Sequence, residues 1–260
     1  MIDTQPKAYK PGWVQDFLIA LVFLTRLPLR LDIDFSMKAV ASASRCFPLV
    51  GLIVGGLSGG IFYGLLMIGM PPLLCAFVSL GTQILLTGAL HEDALGDVAD
   101  GFGGGATKAK KLEIMHDSRV GTYAVVTLIM VLGIKASTLA ALAASSFMFN
   151  AIICAAVASR GMMTLGMYLM PAARTDGLGA SAGKPSLTTA LWALGFTVII
   201  PVFLLGPFFG SIGILAAMVG ASLMGLIANR QIGGQTGDVL GSLQQVAEVF
   251  FLIALLAAQS

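Results

Sequence analysis

The sequence predicts an all-α, polytopic membrane bundle, and three observations carry that expectation. Of 260 residues, 57% are hydrophobic and only 11% are charged, with a mean hydropathy of +0.92; a soluble domain carries about twice that share of charge. Several apolar runs of roughly 20 residues are each long enough to cross a hydrocarbon core of about 30 Å. Those runs lack the alternation of barrel strands, which leaves helices as the way to satisfy backbone groups in lipid. The whole chain, 1–260, reads as one membrane-embedded catalytic domain.

The elements follow in order. The stretch from Trp13 to Leu27 is apolar but short and contains Asp16 and Arg26, so a short interfacial or re-entrant helix is expected there in preference to a tilted span. Lys7 and Lys10 before it echo a signal peptide, but Arg26 and Pro28 interrupt its exit and no small-residue cleavage site follows; the segment is expected to be retained. Seven spans are then expected, over about 47–68, 72–90, 122–143, 147–170, 187–205, 209–228 and 240–258. Gly51, Gly55, Gly56, Gly59 and Gly60 line the first of them, a spacing that lets helices pack closely in lipid. Cys46, Cys75 and Cys154 are odd in number and follow no metal-binding spacing, so they read as small hydrophobes.

Charge divides the loops. Lys7, Lys10, Arg26, Arg30, Lys38 and Arg45 precede the first span; Lys108, Lys110, Lys111 and Arg119 follow the second; Arg174 and Lys184 follow the fourth; Arg230 follows the sixth. These loops alternate, whereas the hairpins around Met70–Pro71, Ala144–Ser146 and Gly206–Pro207 carry no charge. The positive-inside rule puts the charged loops in the cytoplasm. The acidic residues gather on the same face, which that rule does not require, and a cytoplasmic active site explains them. A net charge of +2 gives no footprint for nucleic acid.

Three constellations carry chemistry. Asp93, Asp97 and Asp100 stand at i, i+4 and i+7 after the second span, one face of a helix. Their mutual repulsion is relieved by a hard cation, and Mg²⁺ prefers oxygen ligands that bridge to substrate phosphates; the bland alternative is a solvated acidic cap. Beyond Gly103-Gly104-Gly105 lies a basic amphipathic stretch, Lys108 to Met115, that ends in His116-Asp117-Ser118-Arg119. Asp117 is a candidate fourth metal ligand and Arg119 a bidentate phosphate holder. The glycine run lacks both the P-loop lysine and the GxGxxG spacing. The third constellation runs from Arg230 through Gly233, Gly234, Thr236 and Gly237 to Asp238, with Glu248 about two turns into the last span. A glycine-rich loop at a helix start suits anion binding, and an intramembrane carboxylate is a functional candidate by default. Lys135 and Arg160 within spans are equally ambiguous, and His91 and His116 receive no role.

Together these residues resemble a family. The Asp93–Asp97–Asp100–Gly101 cluster, the run from Leu112 to Thr122 and the loop from Gly234 to Gly241 are similar, in order, to the cobalamin synthases, the adenosylcobinamide-GDP ribazoletransferases of the late vitamin B12 pathway. Phe23-Leu24-Thr25-Arg26-Leu27-Pro28 and Phe47-Pro48-Leu49-Val50-Gly51 extend the resemblance over nearly the whole chain. One departure is Ala94, where the family often has glycine. A helix tolerates alanine better, but close backbone approach to substrate there is put in doubt.

The resemblance implies a transfer in which ribazole, or its 5′-phosphate, attacks the cobinamide-linked phosphate of adenosylcobinamide-GDP and expels GMP. It implies Mg²⁺ on Asp93, Asp97, Asp100 and Asp117, and catalysis by those residues with Asp238. Substrate contacts would come from Arg119, Arg230, Gly234, Thr236, Gly237 and Glu248. The expected setting is the bacterial inner membrane, with the site facing the cytoplasm and other late-pathway enzymes or further copies of the chain as protein partners. Two other readings compete. A CDP-alcohol phosphotransferase also uses membrane-edge aspartates, but Asp100-Gly101 here precedes Phe-Gly-Gly-Gly instead of Ala-Arg. A secondary transporter fits the composition but should place ionisable sites near the midplane, and the acids here crowd one edge. A metalloprotease is disfavoured because no HExxH occurs.

Overall fold

Glycine, proline and charged turns cut the apolar chain into helices at nearly the expected places. A computed structural model describes residues 12–29, 36–173 and 183–259. Lys7, Lys10, Arg30 and Arg174, four of the cations used above, lie outside the described residues. Among the described residues every regular element is helical; extended backbone pairs only in an isolated bridge between Ala172 and Gln235.

Helix α1 (Trp13–Leu24) has 12 residues, about 18 Å of helix, and is too short to span. Asp16 on it is fully buried yet paired: Arg45 lies 2.7 Å from its carboxylate and the Ser42 hydroxyl donates to it at 3.1 Å. The same Arg45 guanidinium sits 4.0 Å over the Trp13 ring. This contact locks α1 against α2 (Met37–Ala43) and the 3₁₀ turn Ser44–Cys46 that leads into α3 (Phe47–Met67).

The spans are α3, α4 (Pro72–Thr87), α7 (Thr122–Ala141), α8 (Met148–Leu169), α9 (Leu187–Ile232) and α10 (Gly237–Gln259); α5 (Leu90–Gly104) and α6 (Lys108–Ile114) lie between α4 and α7. Five helical segments are long and apolar enough to cross a membrane, and α4 with α5 forms a sixth, bent unit. The 46 residues of α9 are not one rod. Gly206 has φ 78° and ψ 165°, and a Cβ on Gly210 would stand 2.7 Å from the Pro201 carbonyl oxygen. Residues nine apart on a straight helix are about 13 Å apart, so the chain doubles back at Gly206-Pro207 into two antiparallel arms. Counting those arms separately restores the seven spans of the sequence reading.

Burial ranks them. α8 is 83% buried along its apolar window and α10 72%, against 28% for α7 and for α9; α8 and α10 are therefore the central pair, with α3, α9, α5 and α7 packed around them. Small residues make this possible. A Cβ on Gly51 would collide with the backbone of Ala156, and one on Gly55 would lie 2.7 Å from Ile153 Cα, so α3 and α8 meet backbone to backbone. Gly56 and Gly60 face open space; the close-packed stripe is only Gly51, Gly55 and Gly59, spaced by four as a helix face requires.

At the end of α4 the chain turns through 91° into α5. Gly88 and Ala89 both adopt left-handed backbone, with φ 65° and 59°, easy for glycine and costly for alanine. The two ends of the bundle differ in kind. At one end Ser145 bonds Gln259, and Asn150 donates to the Leu204 carbonyl, all uncharged groups. At the other, the segment after α8 is stitched to the α9–α10 loop, the Gln235 N–H donating to Pro171 O at 2.8 Å and the Ala173 N–H to Gln235 O at 2.9 Å. The charged turns meet there.

Candidate active site

The right-angle turn lays α5 across the starts of α7 and α10, and side chains hold it there. Asp100 caps α7: its carboxylate accepts the Gly121 N–H at 2.6 Å and the Ala124 N–H at 3.0 Å. Gly121 leaves the room for this, since a Cβ would stand 2.5 Å from the Asp100 carboxylate. Against α10, the Ser242 hydroxyl donates to the Ala94 carbonyl at 3.2 Å, and Ala94 Cβ rests directly on Gly241. The alanine that departs from the family pattern thus fits because the facing residue has no side chain.

This docking gathers four carboxylates. Asp93, Asp97 and Asp100 share the outward face of α5, and Asp238, in the first turn of α10, joins them. The consequence appears at Asp97, whose pKa is raised to about 7: partial burial is the main cause, followed by the charges of Asp93, Asp238 and Asp100. A helix N-terminus stabilises Asp238, and Thr236 caps the same turn, its hydroxyl 3.2 Å from the Asp238 carboxylate and 3.3 Å from the Val239 N–H. Gly234 is obligatory in this loop, because a Cβ there would overlap Pro171 O; Gly237 faces open space.

Cations stand on the neighbouring elements, α6 and the end of α9. Lys111 on α6 bonds Gln231 near the end of α9, and Lys108 Nζ approaches Gly233; Arg230, on the same turn of α9, is exposed. Asp117 and Arg119 are placed differently. They pair with each other at 2.5 Å, and hydrogen bonds from Arg119 hold the Asp117 carboxyl at about 2. Asp117 does not join the four-aspartate group as the structure stands.

Glu248 also stands apart. It is 1% exposed, and its carboxylate meets Lys135 at 3.1 Å and the Gln244 side-chain amide at 2.7 Å. Gln244 continues to Ser159 at 3.0 Å, Lys135 to Gln245 at 3.2 Å, and Gln245 to Glu92 at 2.9 Å. The inward face of α5 is therefore tied to the bundle interior by Glu92, while its outward face bears the aspartates. His91, also inward and buried, is kept neutral, its pKa well below the usual range through burial and then the Arg160 and Lys135 charges. Sequence reading gave Glu92, Gln244 and Gln245 no part; a Gln-Gln pair inside an apolar span was the available signal. Gly56-Leu57-Ser58-Gly59-Gly60 has the spacing of a serine-hydrolase elbow, but it lies within α3, and Ser58 merely donates to the Val54 carbonyl.

The donors at this face are all carboxylate oxygens, the atom type that hard cations take. Among the described residues no group of three or more acidic, histidine or cysteine side chains is placed to hold a metal ion together. Mg²⁺ commonly takes only one or two carboxylates and completes its shell with water and substrate phosphates. Asp93 and Asp97 are open for that, whereas both Asp100 oxygens already accept backbone N–H groups.

The sequence model described as cobalamin-5-phosphate synthase matches residues 16–256. The chain belongs to that family. Among curated relatives called adenosylcobinamide-GDP ribazoletransferase, that of Bradyrhizobium diazoefficiens is 40% identical over 247 residues, covering 95% of each chain. That of Mesorhizobium japonicum is 42% identical over 249 residues with the same coverage, and that of Brucella anthropi 38% over 256, covering 94% of this chain and 97% of its own. No solved structure matches. Membership of the cobalamin-5-phosphate synthases decides against the phosphotransferase and transporter readings.

Proposed function

We propose that the protein is the membrane transferase that joins ribazole, or its 5′-phosphate, to adenosylcobinamide-GDP and releases GMP. The observation that carries the mechanism is the four-aspartate cluster, whose central member, Asp97, has its pKa raised to about 7 by partial burial and then by the charges of the other three. Such a site is built to receive positive charge. Asp93 and Asp97 would hold Mg²⁺, with Asp100 and Asp117 the more remote candidates. When bound, the ion would neutralise charge on the diphosphate. Lys108, Lys111 and Arg230 flank the site and would hold phosphate oxygens of the same substrate. Asp238 would accept the proton of the attacking ribose hydroxyl. Thr236, Gly234 and Gly237 shape the loop that presents it, and Arg119 becomes available to a phosphate only if Asp117 releases it. Glu248 acts through packing, as its carboxylate is engaged inside the bundle.

The membrane would be the bacterial inner membrane, with the charged end in the cytoplasm. The test of the reaction is purified protein in liposomes with adenosylcobinamide-GDP, ribazole and Mg²⁺, followed by GMP release with and without EDTA. Release of GMP in EDTA at the full rate would remove the metal from the scheme. Orientation is tested separately by single cysteines at exposed positions, since the three native ones are buried. Lys110→Cys and Lys184→Cys should be shielded from an impermeant thiol reagent in spheroplasts and Pro71→Cys labelled; the reverse pattern would invert the topology.

A further inference from the structure

A cavity of about 170 Å³ lies beside the acid cluster, bounded by α1, α2, α3, α5, α8 and the start of α10. Its walls are apolar. Phe23 and Phe47 are stacked, with centroids 5.9 Å apart and planes 12° from parallel, and Val40, Met163 and Met167 add aliphatic and thioether surface. Only three polar side chains line it: His91, Asp93 and Asp238. His91 is only 1% exposed and its Nε2 is buried, so Asp93 and Asp238 are the side chains that offer polar atoms at the edge of this apolar space.

Resting on the transferase reading, we propose that this cavity seats the aromatic base of ribazole, with the ribose turned toward Asp93 and Asp238. The reaction offers three bulky groups. The corrin ring far exceeds the cavity. Guanine carries a full edge of donors and acceptors that an apolar lining would leave largely unpaired. The base of ribazole is flat and mainly apolar, which suits an aromatic plane and two methionine thioethers. Drug-sized pockets span roughly 300–1,000 Å³, and this smaller one suits one ring system rather than a whole nucleotide.

Seating the base there puts the sugar at the carboxylates. A ribose hydroxyl oxygen then attacks the phosphorus attached to cobinamide. A new O–P bond forms, the P–O bond to GMP breaks, and GMP leaves with that electron pair while the hydroxyl proton passes to Asp238.

Two variants test the assignment. Val40→Phe narrows the cavity and Met167→Ala widens it; neither touches the acid cluster. With Val40→Phe the KM for ribazole should rise roughly tenfold or more while that for adenosylcobinamide-GDP stays within about twofold. Calorimetric binding of ribazole alone in detergent should weaken in parallel. Met167→Ala should raise kcat/KM for a riboside with a larger fused-ring base relative to ribazole itself, which keeps the test alive should Val40→Phe fail to fold. Unchanged ribazole parameters in folded variants, or a selective rise in the KM of adenosylcobinamide-GDP, would overturn the assignment, the latter moving guanine into the cavity. A wild type that releases no GMP with any riboside would instead overturn the transferase reading, and the assignment with it.

Discussion

Two groups of ionisable residues sit on the two faces of α5, and they are built on opposite principles. Outward, Asp93, Asp97 and Asp100 meet Asp238, and like charges are left to repel. Inward, Glu92 leads through Gln245 to Lys135, Glu248 and Gln244, a chain in which opposite charges and amides answer one another. Burial makes every uncompensated charge costly, so in the interior group Glu248 faces Lys135 and each carboxylate has at least one hydrogen-bond partner, although Glu92 Oε2 and Gln244 Oε1 are left without one. Partial exposure lets the outer group tolerate its mutual repulsion. An intramembrane carboxylate such as Glu248 is thus a poorer guide to the site than an edge cluster that repels itself.

The comparison breaks most severely at Glu248. Glu248→Ala leaves Lys135 buried without its partner, and loss of one member of a buried pair costs about 3–5 kcal/mol. A large drop in melting temperature and in membrane yield is expected. The paired change Lys135→Met with Glu248→Leu should recover a good part of that stability, since apolar replacement of a whole buried pair is often neutral or better. Turnover per folded molecule should recover with it. If the double variant is stable but inactive, Glu248 serves the reaction directly, and the division between the two faces of α5 is wrong.

Asp97→Asn is the mirror experiment, with the loss in rate and not in stability. The amide keeps the shape of the side chain and removes the charge that a cation needs. Turnover should fall about a hundredfold, which corresponds to roughly 3 kcal/mol of lost transition-state stabilisation. In EDTA the variant should melt no lower than wild type, because the repulsion from Asp93, Asp238 and Asp100 is gone. Thermal melts and GMP release on the same preparations separate the two effects. A variant that loses stability and activity together would make Asp97 a structural residue.

How far the sequence alone leads differs between these regions. The seven apolar runs, the charge-free hairpins and the i, i+4, i+7 aspartates are local patterns, and local patterns survive folding. The doubling of α9 was legible too, because Gly206-Pro207 interrupts an apolar stretch far too long for one span. The 91° turn was not: it needs Ala89 in left-handed backbone, which alanine avoids unless its surroundings impose it. The Lys135–Glu248 pair joins residues on two separate spans, and no spacing rule connects them. Asp100 looked like a metal ligand equal to Asp93 and Asp97. Its role as the cap of α7 depends on Gly121 lying beside it, a tertiary fact.

The pH dependence of the metal-free protein sharpens the contrast. Asp97 has an ordinary pKa of 3.8 when unfolded and about 7 when folded. Between those values the unfolded chain gives up its proton while the native state keeps it, so stability falls as pH rises through that window and levels above it. In EDTA the wild type should therefore melt lower at pH 7.5 than at pH 5.5, and Asp97→Asn should remove much of the difference. Added Mg²⁺ should raise the melting temperature most at the higher pH, where the carboxylates are free of protons. A melting temperature that rises over this range in EDTA would contradict the crowded-carboxylate account.

The smallest effect is expected at Asp117, which resembles the other aspartates in the sequence but not in its surroundings. Its carboxylate is turned to Arg119, which bonds it through both guanidinium and backbone N–H. The group is exposed, and solvent screens exposed pairs strongly. Its depressed pKa of about 2 means that the pairing is lost only as pH falls from the ordinary carboxylate value of 3.8 toward 2, well below any assay. Asp117→Asn should consequently leave melting behaviour near neutral pH almost unchanged and reduce turnover by less than roughly tenfold. Arg119, freed from its partner, should bind phosphate more readily, which a lower KM for adenosylcobinamide-GDP would register. A hundredfold loss of turnover, matching Asp97→Asn, would mean that substrate binding breaks the Asp117–Arg119 pair and swings the carboxylate onto the cluster. The acid site would then be assembled from two helices and a mobile turn, and the outward face of α5 would be only part of it.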